Sequence, residues 1–176
     1  WNSCGQLPAE YGVVVATDLL FDMQSNETLS FGTQLGSVFL PYPFWPRVPV
    51  VDEKVAGNVS TALMPWASSL GITEDARTLI DVIPLVETTE FASIDFNYGD
   101  VRPNSPTLND PVGINQVQSL MGVAISERQN SPDDSSFRLV VFGTSRWLMD
   151  GITDRSQQNL AMGLNLVDCL AQEDVL

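Results

Sequence analysis

Apolar positions fall into short runs separated by polar stretches that carry proline, glycine or asparagine, a spacing that predicts more strands than helices. The densest run lies in residues 137–148, FRLVVFGTSRWL, where Leu139, Val140, Val141 and Phe142 follow one another without a polar interruption. Such a run predicts a strand buried on both faces and central in its sheet. Gly143, Thr144 and Ser145 then turn the chain, and Asp154 with Gln157 has capping-box spacing, so a helix is expected to start near Asp154. Along it Leu160, Leu164, Val167 and Ala171 recur at helical spacing, a stripe expected to face the sheet. Strand, small-residue turn and packing helix make an α/β unit.

Upstream, residues 11–21, YGVVVATDLLF, read as one strand. Residues 60–72, STALMPWASSLGI, read as a strand to Met64 that bends at Pro65 and runs into a turn near Gly71. Residues 78–87, TLIDVIPLVE, are a strand whose Pro84 marks an edge or a bulge, and residues 118–126, QSLMGVAIS, are another. Between them, PYPFWPRVP at 41–49 interleaves prolines with Tyr42, Phe44 and Trp45. Proline fixes φ and lacks a donor, so this stretch is expected to be extended and at most an edge strand. Residues 95–110 read as a solvated loop. Strands outnumber helices, which suits a doubly wound fold only if its opening β-α units lie upstream. Residues 1–176 are therefore expected to form one soluble α/β domain, the later part of a larger domain in a longer protein.

Charge narrows the partners. Asp and Glu number 22 against 8 for Lys and Arg, a net charge of −14, and Lys54 is the only lysine. Such a surface repels phosphate backbones and anionic membranes, so no nucleic-acid partner is expected. With 0 histidines, Ser-His-Asp and Cys-His catalysis and histidine-based zinc sites are excluded within this polypeptide. Cys4 and Cys169 stand near opposite ends, and a disulfide or two free thiols are both compatible with that. Asn26-Glu27-Thr28 and Asn58-Val59-Ser60 match the glycosylation sequon, a pattern short enough to arise by chance. No apolar run is long enough for a membrane-spanning helix.

Two stretches carry candidate chemistry. Thr144, Ser145 and Arg146 follow a strand where α/β proteins often bind ligands, and can contact an anion or polar ligand or simply satisfy local backbone groups. Tyr42, Phe44 and Trp45, with Arg47 beside them, are aromatics on a stiff backbone, suited either to docking a partner or to capping the domain's own core. No phosphate-cradling glycine motif or calcium-loop spacing accompanies them, so neither cofactor nor metal is expected. Carboxylate chemistry on glycans remains open through Asp150 and Asp154, or Asp95 and Asp100.

The succession YGVVVATDLLFD, PYPFWPRV, STALMPWASSL, IPLVETTEFAS, MGVAIS, FRLVVFGTSRWL and a helix ending in CLAQEDVL resembles the auxiliary proteins of gliding-motility-type ABC transporters. The resemblance runs along nearly the whole chain. It implies a mixed, mostly parallel sheet with flanking helices, Rossmann- or flavodoxin-like and similar to class I glutamine amidotransferases but without their catalytic cysteine and histidine. It implies a non-catalytic accessory or binding domain of an export or gliding-motility-type transport system, with the ABC membrane and ATPase subunits of that system as partners. The location implied is the extracytoplasmic, periplasmic face of the membrane, with the tether outside this segment. Members often carry an acidic residue where this chain has Thr144. Beside that expectation stand the glycan hydrolase and a small-ligand receptor at Thr144 to Arg146 that would take an anionic sugar.

Overall fold

The computed structural model describes residues 6–52, 57–96, 100–109, 116–128 and 138–171. A short helix, α1 (Gln6–Glu10), leads into β1 (Val13–Val15) and β2 (Leu19–Asp22). A long hairpin follows, β3 (Asn26–Thr33) and β4 (Gly36–Pro49), and then β5 (Thr61–Leu63), β6 (Leu70–Ile72), β7 (Ile80–Glu87) and β8 (Ala92–Asp95). A helical turn, α2 (Pro106–Asn109), precedes β9 (Leu120–Glu127) and β10 (Arg138–Phe142); α3 (Asp150–Thr153) and α4 (Gln157–Leu170) close the described chain.

Every strand pairing among the described residues is antiparallel: β1 with β6, β2 with β8, β4 between β3 and β5, and β9 between β10 and β7. The expected Rossmann- or flavodoxin-like, mostly parallel sheet is therefore not the fold. The run Leu139 to Phe142 shows why. Val140 and Phe142 pack into a cluster with Trp147, Met162 and Leu166, while Leu139 and Val141 pack into another with Val13, Leu70, Ile80 and Ile125. Both faces are covered, as the apolar run demands, but one is covered by α4 and the other by the two-stranded β1–β6 ribbon. Apolar continuity reports cover on two faces and carries no information on strand direction or on what supplies the cover. β10 is an edge strand, and the central place belongs to β9.

Three further expectations change. Residues 11–21 are two strands in different sheets, broken before Asp18, whose carboxylate accepts from the Ser69 amide and hydroxyl. The long helix begins after Ser156, whereas Asp154 closes α3. Its inward face is Asn159, Met162, Gly163 and Leu166, whereas Leu160, Leu164 and Val167 are 50%, 60% and 62% exposed. Apolar residues occupy much of this helix's circumference, and what selects the buried face is close approach to backbone. A Cβ on Gly163 would come 2.9 Å from Leu148 Cδ2, so the glycine lets the helix lie near the 147–148 loop without displacing that side chain.

The proline-rich stretch is extended, as expected, but inside β4, which is the middle strand between β3 and β5 and not an edge strand. Residues 36–42 and Pro46 pair with β3 and residues 47–49 with β5, and a register shift separates Tyr42 from Pro46. Pro43 falls in that gap of the ladder, and Pro46, which lacks a donor, takes part through its carbonyl, accepting from Met64 N. Pro84 likewise sits at a register shift, in the outer strand β7.

An irregular stretch, residues 64–69, ties these sheets together. Met64 N donates to Pro46 O, Trp66 N to Phe44 O, Leu20 N to Ala67 O, Ser68 N to Gly143 O and Ala16 N to Ser69 O, all at 2.8–3.0 Å. Buried backbone must find partners, and here one non-repetitive segment finds them in four other parts of the chain. Cys4 lies outside the described residues, so its pairing with the half-buried Cys169 does too.

Candidate functional site

The two candidate stretches meet. Thr144, only 8% exposed, donates its hydroxyl to Pro65 O at 2.8 Å and accepts from Arg146 N at 3.1 Å, so it pins its own turn to the turn at Pro65 and Trp66. The neighbouring Gly143 is obligatory there, because a Cβ would stand 1.9 Å from Ser68 O. Ser145 and Arg146 are exposed beyond it. On the other side, Trp66 N bonds the carbonyl of Phe44, drawing the same turn against β4.

Trp66 is the hinge between the stretches. Its φ of +48° places a bulky residue in the left-handed region, which costs about 1–2 kcal/mol. The ring offsets that cost through its contacts. Its Nε1 donates to Tyr42 Oη at 3.2 Å, and Tyr42 Oη in turn donates to Val101 O at 2.6 Å. Trp66 stands edge-to-face with Trp45 at 5.1 Å and 89° and with Tyr42 at 6.5 Å and 79°. Each such pair adds about 0.5–1.5 kcal/mol beyond burial. Burial pushes the Tyr42 phenol above its ordinary value, with the Trp66 hydrogen bond opposing more weakly.

Arginines cover these rings. The Arg146 guanidinium lies 5.0 Å from the centroid of Trp66, and that of Arg155 lies 5.9 Å from that of Trp45. Arg47 donates through Nε and Nη2 to Glu27 Oε2 at 3.2 and 2.7 Å, and through Nη1 to Ser156 Oγ at 3.4 Å. Arg155 reaches the same Glu27 carboxylate at 3.9 Å. Arg47 and Arg155 thus share one carboxylate, and Arg146 has none among the described residues. The result is a cationic, aromatic face on a chain of net charge −14.

Of the residues expected at a surface, Tyr42 and Phe44 are 4% and 0% exposed and belong to the core with Phe21 and Leu19; they hold the site from beneath. Trp45, Arg47, Ser145 and Arg146 reach the surface at least in part. Linear reading missed Trp66 and Arg155. Both lie in stretches the pattern marks as structural, a Pro-Trp turn and a helix approach. The available signal was the scarcity of basic residues, which makes any arginine beside an aromatic or a turn worth weighing.

The carboxylate candidates do not assemble. Asp150 and Asp154 are both exposed on and beside α3. Asp95 is buried, whereas Asp100 is held by Arg102, whose hydrogen bonds keep its carboxyl below the ordinary value. A groove of about 270 Å³ between β9, β10 and the end of α4 is lined by Ala124, Leu139, Val140 and Leu170 and by no carboxylate. No group of His, Cys, Asp and Glu side chains among the described residues is placed to hold a metal ion, and no described helix is long and apolar enough to cross a membrane.

Comparison with protein-family models, with curated proteins and with solved structures finds no match to this chain.

Proposed function

We propose that this chain is a non-catalytic binding domain of an ABC-type transport system, placed on the extracytoplasmic side of the membrane. The observation that supports a binding role is the convergence of residues 42–47 and 144–146 on Trp66, which builds one rigid face of Trp45, Trp66, Arg146 and Arg155 over a buried frame. Rings packed edge-to-face, with Trp66 held by its hydrogen bond to Tyr42, lose little freedom on contact, so such a face binds with little reorganisation. The carboxylates that a glycan hydrolase would need are dispersed over exposed, buried and ion-paired positions.

The transport assignment rests on the order of segments along the chain. It is tested by cross-linked capture from membranes of the source cell with this chain as bait. Recovery of ABC membrane and ATPase subunits is expected, above the level obtained with an unrelated domain of the same charge. Recovery of no transporter subunit, or of equal amounts with that control, overturns it.

A further inference from the structure

We propose that the Trp45–Trp66 face binds an acidic saccharide, recognised through its carboxylate or phosphate groups by Arg146 and Arg155 and through its C–H surface by the rings. The proposal deepens the binding reading above and rests on it for the location of the face, but it is independent of the transporter assignment.

Charge selects the acidic class. The other described arginines away from this face are engaged. Arg77 pairs with Glu74, Arg102 with Asp100 and Arg128 with Asp81, and Arg138 donates to Cys169 O. Around Trp45 and Trp66, the three arginines Arg47, Arg146 and Arg155 have one carboxylate among them, Glu27, paired with Arg47 and Arg155. A face with surplus positive charge on an otherwise acidic chain attracts anions to that place and repels them elsewhere. The Arg146 and Arg155 guanidiniums lie over rings, and their N–H donors suit a carboxylate or phosphate.

Backbone geometry selects a saccharide over an acidic peptide. A peptide docking in extended form needs free main-chain donors and acceptors on the receiving strand. Here β4 offers few: Pro43 and Pro46 have no N–H, Phe44 O and Pro46 O already accept from Trp66 and Met64, and Arg47 N donates to Ser25 O. Recognition falls to side chains, namely two rings, two guanidiniums, the Glu27 carboxylate and the exposed Ser145 hydroxyl. Flat rings beside charged and hydroxyl groups match a ligand with an apolar ring face and a rim of hydroxyls.

The test is titration of the whole chain with a short oligogalacturonide, followed by tryptophan fluorescence and by calorimetry, with a neutral glucan of equal length and a polyglutamate peptide of equal charge beside it. Saturable binding of the oligogalacturonide is expected, weakened by added salt and far exceeding that of the other two. Arg146→Ala and Arg155→Ala should each weaken it about tenfold, the loss of one charge-assisted contact. Arg77→Ala, remote and exposed, should leave it unchanged, and thermal melting checks that every variant is folded. Absence of oligogalacturonide binding, equal binding of the neutral glucan, or affinity indifferent to both face substitutions overturns the proposal. Preferential binding of polyglutamate overturns it in favour of an acidic peptide. Capture of transporter subunits is scored separately, so either reading can fail alone.

Discussion

Asn159→Ala should be among the most destabilising single substitutions in this chain. β5 is an edge strand, and because Met64 N bonds Pro46 O, Leu63 falls at a position whose own N–H and C=O point away from β4. Asn159 completes that open edge from the helix. Its Oδ1 accepts from Leu63 N at 2.9 Å, and its Nδ2 donates to Leu63 O at 2.7 Å and to Trp147 O at 2.8 Å. The side chain is 0% exposed, so water cannot replace it. Truncation orphans one donor and two acceptors, and at about 1–3 kcal/mol for the donor and about 1 kcal/mol for each carbonyl the loss is about 3–5 kcal/mol. That is a large share of the roughly 5–15 kcal/mol a domain of this kind holds. The preceding residue is the control. Gln158 Oε1 accepts from Thr61 N at 2.9 Å and Ser60 N at 3.1 Å, but in the open, so Gln158→Ala should cost less than about 1 kcal/mol. Urea unfolding followed by tryptophan fluorescence measures both. A loss under about 1 kcal/mol for Asn159→Ala, or equal losses for the two variants, would refute the edge-completing role.

Gly143→Ala should prevent stable folding or lower the melting temperature sharply, because its Cβ would lie 1.9 Å from the Ser68 carbonyl in the segment that joins the sheets; a melt within a few degrees of the parent would show that this crossing can shift. Phe44→Ala, at a ring 0% exposed, should cost about 3–5 kcal/mol, whereas Phe39→Ala, at a ring 69% exposed on the same strand, should stay within about 0.5 kcal/mol, as read by chemical denaturation. Leu164→Gln should also stay within about 0.5 kcal/mol if that stripe of α4 faces solvent, and a loss of several times that would return it to the core. Because burial raises the Tyr42 phenol above its ordinary value near 10, the folded state holds that proton more tightly than the unfolded chain. Its contribution is therefore complete below about pH 10 and lost as pH rises through the folded value. Stability measured across the alkaline range should fall there in the parent and fall less in Tyr42→Phe.

Much of the local structure follows from residue type alone. The prolines of residues 41–49 force an extended, sparsely laddered stretch, Pro84 forces an irregular outer strand, and the run Leu139 to Phe142 demands cover on both faces; the structure has all three. Composition alone sets the acidic surface and removes imidazole chemistry. Strand direction was not legible, because a run with both faces covered has the same pattern in parallel and antiparallel sheets. The buried face of α4 was not legible either, because the leucine stripe has the stronger periodicity while the contact that decides is an amide meeting a strand edge and a glycine meeting a loop. The candidate site was half visible. Trp45 and Arg146 stand out one by one, but their meeting depends on Trp66 adopting a left-handed backbone and on Thr144 bonding Pro65 across 79 residues of chain. Local periodicity is set by neighbours three or four residues apart. Contacts between residues distant in sequence arise from apolar burial and from buried backbone groups that must find partners, and here the second requirement assembles the site.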